Sequence, residues 1–228
     1  MNPLVEVTDG LWVAHQPDHV YLGLKLGSRM TVVRLPDGGL LLHSPVAMTP
    51  ALVAAVRELG TVTHVVAPSL YHHVYAGDAV AAFADAQLHG PADLHAKRSD
   101  LRFHHVLTEA PHPDWGDLLQ PVGIDGCLLG ETVLVHRPSS TIVSADLTEN
   151  FATSDHFLTR LYLKAAGLEN QIGWSRMLRV VYRDHRAARA SLVKLMDHGC
   201  DRIVIAHGAV IESGAREALD RTFHFLKA

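Results

Sequence analysis

Apolar and polar positions along this chain follow two periods, one suited to strands and one to helices. Leu4–Val7 and Leu11–Val13 read as short strands around a Thr8-Asp9-Gly10 turn. Between Tyr21 and Leu35 the apolar/polar alternation suits strands with one wet face, and Pro36-Asp37-Gly38-Gly39 predicts a hairpin into a buried strand, Leu40–Leu42. Helical spacing follows. Thr49-Pro50 opens a helix whose stripe is Leu52, Val53, Val56 and Leu59, and Gly60 ends it. Val65-Val66-Ala67 reads as a short buried strand with its exit at Pro68-Ser69, ahead of an Ala-rich helix that starts near Gly77. Gln87–Gly90 suggests another strand, Ala92–Lys97 a weak helix, and Arg98–Pro113 a loop with one brief strand.

The second half repeats the alternation. Thr132–His136 and Thr141–Ala145 are strands joined by the Arg137–Ser140 turn, and the second ends at Asp146. Phe151–Gly173 is helical by pattern, and Arg186–His198 forms a helix that Gly199 stops. A last strand, Arg202–Ala206, ends at His207-Gly208, and a helix bearing Ala215, Ala218, Leu219 and Phe223 follows. Strands alternating with helices in both halves predict an α/β chain of the α+β type, with two mixed sheets and helices outside. With no repeat or linker in sight, residues 1–228 are expected to form one domain.

Composition narrows the function classes. A net charge of −4 with no run of Lys or Arg gives no electrostatic footprint for nucleic acid. No stretch approaches the roughly 20 apolar residues of a membrane span. Met1–Gly10 carries Glu6 and Asp9 and lacks a signal pattern. Cys127 and Cys200 are too few for a disulfide framework. A cytoplasmic protein with a small-molecule substrate or ligand is expected, and an oligomer through Phe157–Leu163 stays open.

The chemistry concentrates at strand exits. His72 and His73 sit where a strand turns toward a helix, so two neighbouring imidazoles can face one ligand there, whereas on a regular strand they face apart. Their ring nitrogens need partners, and a metal ion is one. The chain holds 17 histidines, so adjacent pairs also arise by chance. His89, His95, His104, His105 and His112 fall in a polar, Pro-containing region without site-like spacing and read as solvated. Cys127 reads as a small buried residue, His43 as structurally hydrogen-bonded, and Glu131 as a strand-edge charge. Asp146 and His207, at two further strand ends, complete the candidate set.

These residues resemble the metallo-β-lactamase superfamily, in a divergent bacterial branch carried by Leu42-His43-Ser44-Pro45, Ala67–His73, Ser140–Asp146 and Ala206-His207-Gly208. The superfamily motif His-x-His-x-Asp-His falls on Pro68–His73 in degraded form. Pro68 and Leu70 take the places of its first two histidines, His72 that of its aspartate and His73 that of its last histidine. The middle histidine falls at Cys127, the bridging aspartate at Asp146 and the terminal histidine at His207. The resemblance implies an αββα sandwich. It also implies that one metal site is lost, because Pro68 and Leu70 cannot ligate, and that a second is kept by His72, His73, Asp146 and His207.

That donor set suits one divalent ion, Zn²⁺ first, with Fe²⁺ or Mn²⁺ as alternatives. The function implied is a metal-dependent hydrolase acting on a small ester, thioester, lactone or phosphoester, with His73 and Asp146 catalytic. Two other readings stay open. One is a non-catalytic protein that binds a metabolite or a protein in the old cleft, with these residues as a hydrogen-bonded remnant. The other is an iron oxidoreductase.

Overall fold

The computed structural model describes residues 3–227. β1 (Leu4–Thr8) and β2 (Leu11–Gln16) form the first hairpin. A small ribbon, β3 (Val20–Tyr21) with β4 (Leu24–Lys25), precedes β5 (Ser28–Arg34), and the Pro36–Gly39 turn returns the chain as β6 (Leu40–His43). Then α1 (Pro50–Leu59) carries it to β7 (Val62–Val66), parallel to β6. Local chemistry sets the helix start: Thr49 Oγ1 accepts from Leu52 N–H at 3.2 Å, and Pro50 sits in the first turn, where no N–H is needed. α2 (Ala76–Ala82), β8 (Gln87–Gly90), α3 (Ala92–Lys97) and β9 (His105–Val106) complete a seven-stranded sheet ordered β1-β2-β5-β6-β7-β8-β9.

The chain crosses to the second sheet through residues 107–118. β10 (Leu119–Gly123), β11 (Thr132–His136) and β12 (Thr141–Val143) form an antiparallel meander. β13 (Glu149–Phe151), α4 (Phe157–Ala166) and β14 (Gln171–Gly173) follow, the two strands pairing with each other. α5 (His185–Asp197) leads to β15 (Arg202–Val204), parallel to β12, and α6 (Ala215–Thr222) comes after it. The helical expectation for residues 151–173 therefore holds only in its middle. Its two ends are drawn into a ribbon, because tertiary pairing outweighs local propensity there. Within α4, Leu163 enters the core while Phe157, Leu158 and Leu161 stay exposed.

Continuous apolar runs make sense once both faces of each sheet are covered. Leu40, Leu42 and Val65 face the helix-side core with Leu52 and Val56, whereas Leu41 and Val66 face the layer between the sheets. In the second sheet Val133, Val135 and Ile142 pack with Leu192 and Leu219, and Leu134, Val143 and Val204 meet the first sheet. The result is helices, sheet, sheet, helices: the αββα sandwich. Among the described residues no helix is long and apolar enough to cross a membrane.

One glycine is required where β15 runs out. Gly208 has φ +88° and bridges Asn150, and a Cβ there would sit 2.0 Å from the Asn150 carbonyl oxygen. Gly208→Ala is expected to lower stability by more than about 1 kcal/mol, measured by urea denaturation, because both the left-handed backbone and the close approach exclude a side chain.

Candidate metal centre

Parallel strands exit at the same end, and this delivers Asp146 and His207 side by side. β12 and β15 pair in register, and the Ala206 N–H extends that pairing by donating to Ala145 O at 3.1 Å. His72 arrives from the other sheet on the loop after β7. Ser69 Oγ bends that loop by accepting from the N–H groups of Tyr71 (3.2 Å) and His72 (3.0 Å). Two backbone bonds, Leu70 N–H to Leu129 O and Thr132 N–H to Pro68 O, both at 2.9 Å, tie the loop to the second sheet.

The three side chains converge on one point. His72 Nε2 lies 3.1 Å from Asp146 Oδ1 and 3.2 Å from His207 Nε2, and His207 Nε2 lies 3.4 Å from Asp146 Oδ1. A tetrahedral ion with bonds of about 2.0–2.1 Å separates its ligand atoms by about 3.3 Å. The His207 tautomer follows from its other nitrogen: Nδ1 is 2.8 Å from the Gly27 carbonyl, which only accepts, so Nδ1 carries the hydrogen and Nε2 presents a lone pair. In the neutral ring that lone pair faces the Asp146 carboxylate, an arrangement that a shared cation, like a proton on Nε2, relieves. His72 Nδ1 meets Ser44 Oγ at 2.8 Å, and Ser44 is held at φ +54°, a strained backbone beside the site. The donor set therefore fits a divalent ion.

Buried charge surrounds this point. Burial opposes ionisation of Asp146, yet the charges and hydrogen bonds of His72 and His207 hold its carboxyl well below the usual carboxylate range. Glu131, expected at a strand edge, is instead buried, and accepts from the N–H groups of Ala145 (2.6 Å) and Asp146 (3.0 Å). Burial and the Asp146 charge push its carboxyl up. Glu149 is buried with Oε2 unpartnered, and burial pushes it up to about 7. Arg29, also buried, spends its guanidinium on the carbonyls of Ile205 (2.5 Å) and Gly208 (2.7 Å), which flank His207.

The fourth expected ligand goes elsewhere. His73 lies outside the cluster, with Nδ1 3.0 Å from Arg98 Nη1, because α2 begins just after it and turns it toward α3. Burial, then the charges of Lys97 and Arg98, lowers its pKa. Cys127 also lies outside. It packs against the helix-side core, and burial pushes its thiol up to about 11, which leaves it an inert small residue. His43 has no hydrogen bond at either ring nitrogen, contrary to expectation, and burial pushes it down to about 3. Glu149 was not singled out in the sequence, and Ser44 entered only within the Leu42-His43-Ser44-Pro45 phrase, without a role at the site. A Ser at a strand exit and an acid just past Asp146 are the only signals, and neither distinguishes a site from a loop.

The three side chains open into a cavity of about 510 Å³ lined by Val20, Leu22, Leu26, Tyr75, Leu129 and Trp174, with Glu149 on its wall. Among the described residues its lining includes no Lys or Arg.

Architecture and solved structures agree on the class: this is a metallo-β-lactamase fold. A metallo-β-lactamase from Pontibacter korlensis matches with a TM-score of 0.69 at 15% identity over 98% of both chains. One from Erythrobacter litoralis, with β-mercaptoethanol in its active site, matches at 0.68 and 12% identity over 98% of this chain and 95% of that one. FIM-1 from Pseudomonas aeruginosa, in its mono-zinc form, matches at 0.62 and 14% identity over 98% and 94%. Identities this low establish the fold alone. The chain belongs to the family described as a domain of unknown function (DUF4336), which matches residues 8–155. No curated protein sequence matches it.

The raised pKa of Glu149 makes stability pH-dependent. A carboxyl near 7 when folded and near 4.5 when unfolded keeps its proton in the native state while the unfolded chain loses it, so its contribution is full below pH 4.5 and is lost as pH rises through 7. Glu149→Gln is expected to flatten the fall in stability between pH 5 and 8 by up to roughly 3 kcal/mol, measured by denaturation across that range.

Proposed function

We propose that this chain is a metal-dependent hydrolase with a single-ion site held by His72, Asp146 and His207. The observation that carries the reading is the near-tetrahedral spacing of three ligand atoms in a largely apolar, partly open cavity. Two imidazoles and one carboxylate suit Zn²⁺ first, with Fe²⁺ or Mn²⁺ as alternatives. FIM-1, of the same fold, is described in a mono-zinc form, and here Pro68 and Leu70 offer no donor for a second ion. We take residues 1–228 as one domain acting on a small molecule.

A bound divalent ion supplies Lewis acidity, polarising a carbonyl and bringing the pKa of a water toward about 7. The chain does the rest. Ser44 Oγ and the Gly27 carbonyl fix the two imidazole rings, and Glu131 fixes the strand end that carries Asp146. Glu149, with a free Oε2 and a pKa of about 7, is poised to take up and return a proton during acyl transfer. The apolar wall offers contact to an apolar body. A phosphoester would find no cationic side chain in that lining, so an ester, thioester or lactone with an apolar acyl or aromatic part is the favoured substrate.

A second reading, a non-catalytic binder, draws on the missing donors at Pro68 and Leu70. Elemental analysis and an ester and lactone screen separate the two. His72→Ala/His207→Ala is expected to lose about one metal equivalent per chain and all turnover, and Ser44→Ala to weaken metal affinity by about 10–100-fold. Ligand binding that survives the double substitution, with no turnover in the metal-loaded wild type, would establish the binder instead.

A further inference from the structure

A second cluster of histidines lies on the bodies of the strands, away from the loops that carry the metal centre. His64 of β7 shares a face with Val66, toward the layer between the sheets. His89 of β8 is the parallel partner of Val66, and His105 of β9 is the partner of His89, so all three imidazoles stand on that inner face. The 107–118 crossing segment closes over them with His112, Asp114 and the buried Trp115, whose ring lies 5.9 Å from His64 and 5.1 Å from His89. His89, expected to be solvated, is 1% exposed, as is His64.

Three of these residues face one another as ligands do. His64 Nε2 lies 3.4 Å and His112 Nδ1 3.6 Å from Asp114 Oδ2, and one donor atom from each residue lies within 4.8 Å of the other two. Both contacts are longer than an N–H···O hydrogen bond of about 2.7–3.2 Å and close to the roughly 3.3 Å between ligands on one tetrahedral ion. His112 Nδ1 accepts a long hydrogen bond of 3.3 Å from the Asp114 N–H, so the ring hydrogen sits on Nε2, and an ion bound at Nδ1 would take that lone pair from the N–H. His64 Nδ1 meets His89 Nε2 at 2.9 Å, which anchors the ring from behind in the way an outer partner orients a metal-bound imidazole. The Asp114 side chain is 48% exposed, leaving an entry path and a position for water.

We propose that His64, His112 and Asp114 form a second metal site, structural in role, for a borderline divalent ion of the Zn²⁺ type. An ion there ties the segment that crosses between the two sheets to a central strand of the first, closing the loop between residues 64 and 112. The site stands independently of the hydrolase reading, since it shares no residue with the cavity.

The test is Zn²⁺ binding by equilibrium dialysis, with thermal unfolding alongside, in a 2 × 2 set: wild type, His72→Ala/His207→Ala, His112→Ala/Asp114→Asn, and all four substitutions. His112 and Asp114 are partly exposed loop residues, so circular dichroism should report an unchanged fold in that variant. The His72→Ala/His207→Ala protein is expected to bind about one Zn²⁺ and to gain Tm with zinc. Adding His112→Ala/Asp114→Asn should weaken that binding at least ~10-fold and abolish the gain. In the wild-type background the same pair should lower the stoichiometry by one equivalent, a readout that serves even where the cavity variant does not fold. Zinc binding indifferent to His112→Ala/Asp114→Asn in both backgrounds would overturn the second site and leave the first untouched; loss only at His72 and His207 would do the same.

Discussion

The register of β12 against β15, continued by the Ala206 N–H on Ala145 O, places two strand ends at one level on one edge of the second sheet. Everything in the cavity depends on that pairing. Because the strands are parallel, their next residues, Asp146 and His207, leave together and need no long loop to meet. The carbonyls around His207 are taken by Arg29, whose guanidinium reaches across from the first sheet to Ile205 and Gly208. A buried arginine bound to carbonyls alone holds the two sheets at a fixed separation, and His72 can then arrive from the first sheet within 3.2 Å of its partner.

Charge gives this edge its character. Asp146, Glu131 and Glu149 are three carboxyls drawn around one point in a low-dielectric setting. The fold answers in two ways. Backbone N–H groups and imidazoles stabilise some of the negative charge, and burial keeps the other carboxyls protonated to higher pH. A divalent cation at the convergence of His72, Asp146 and His207, as proposed, would complete the balance. The same electrostatics separate the roles of the acids: the one in contact with the imidazoles stays ionised, while Glu149 titrates near neutrality on the cavity wall.

The opposite layer of polar chemistry, the histidine row of β7, β8 and β9, follows from a different constraint. β7 and β8 are parallel strands within the sheet and His64 and His89 are buried there, so these two must find partners inside the protein, whereas β9 is a half-exposed edge. His64 and His89 share one contact, His105 bonds Gln87 at 2.6 Å, and the crossing segment supplies the remainder through His112 and Asp114. The link between the sheets is thus a polar contact laid on the inter-sheet core.

By itself the sequence determined most of the elements and their order. Thr49, Pro50 and Gly60 mark a helix whose cap bonds are local, and the runs at Leu40–Leu42 and Thr132–His136 are apolar because both faces of their sheets are covered. It also placed His72, Asp146 and His207 at strand exits, which proximity to a turn makes readable. Tertiary structure decided the rest. Which of two adjacent histidines enters the cluster depends on the direction in which the chain turns into α2, a matter of a single residue, and His73 turns toward Arg98. Residues 151–173 give up a continuous helix because β13 and β14 find each other across space. The burial of Glu131 and Glu149, and the gathering of His64 with His112 and Asp114, join positions distant along the chain, and no local period or spacing encodes contacts made only when two sheets close on each other.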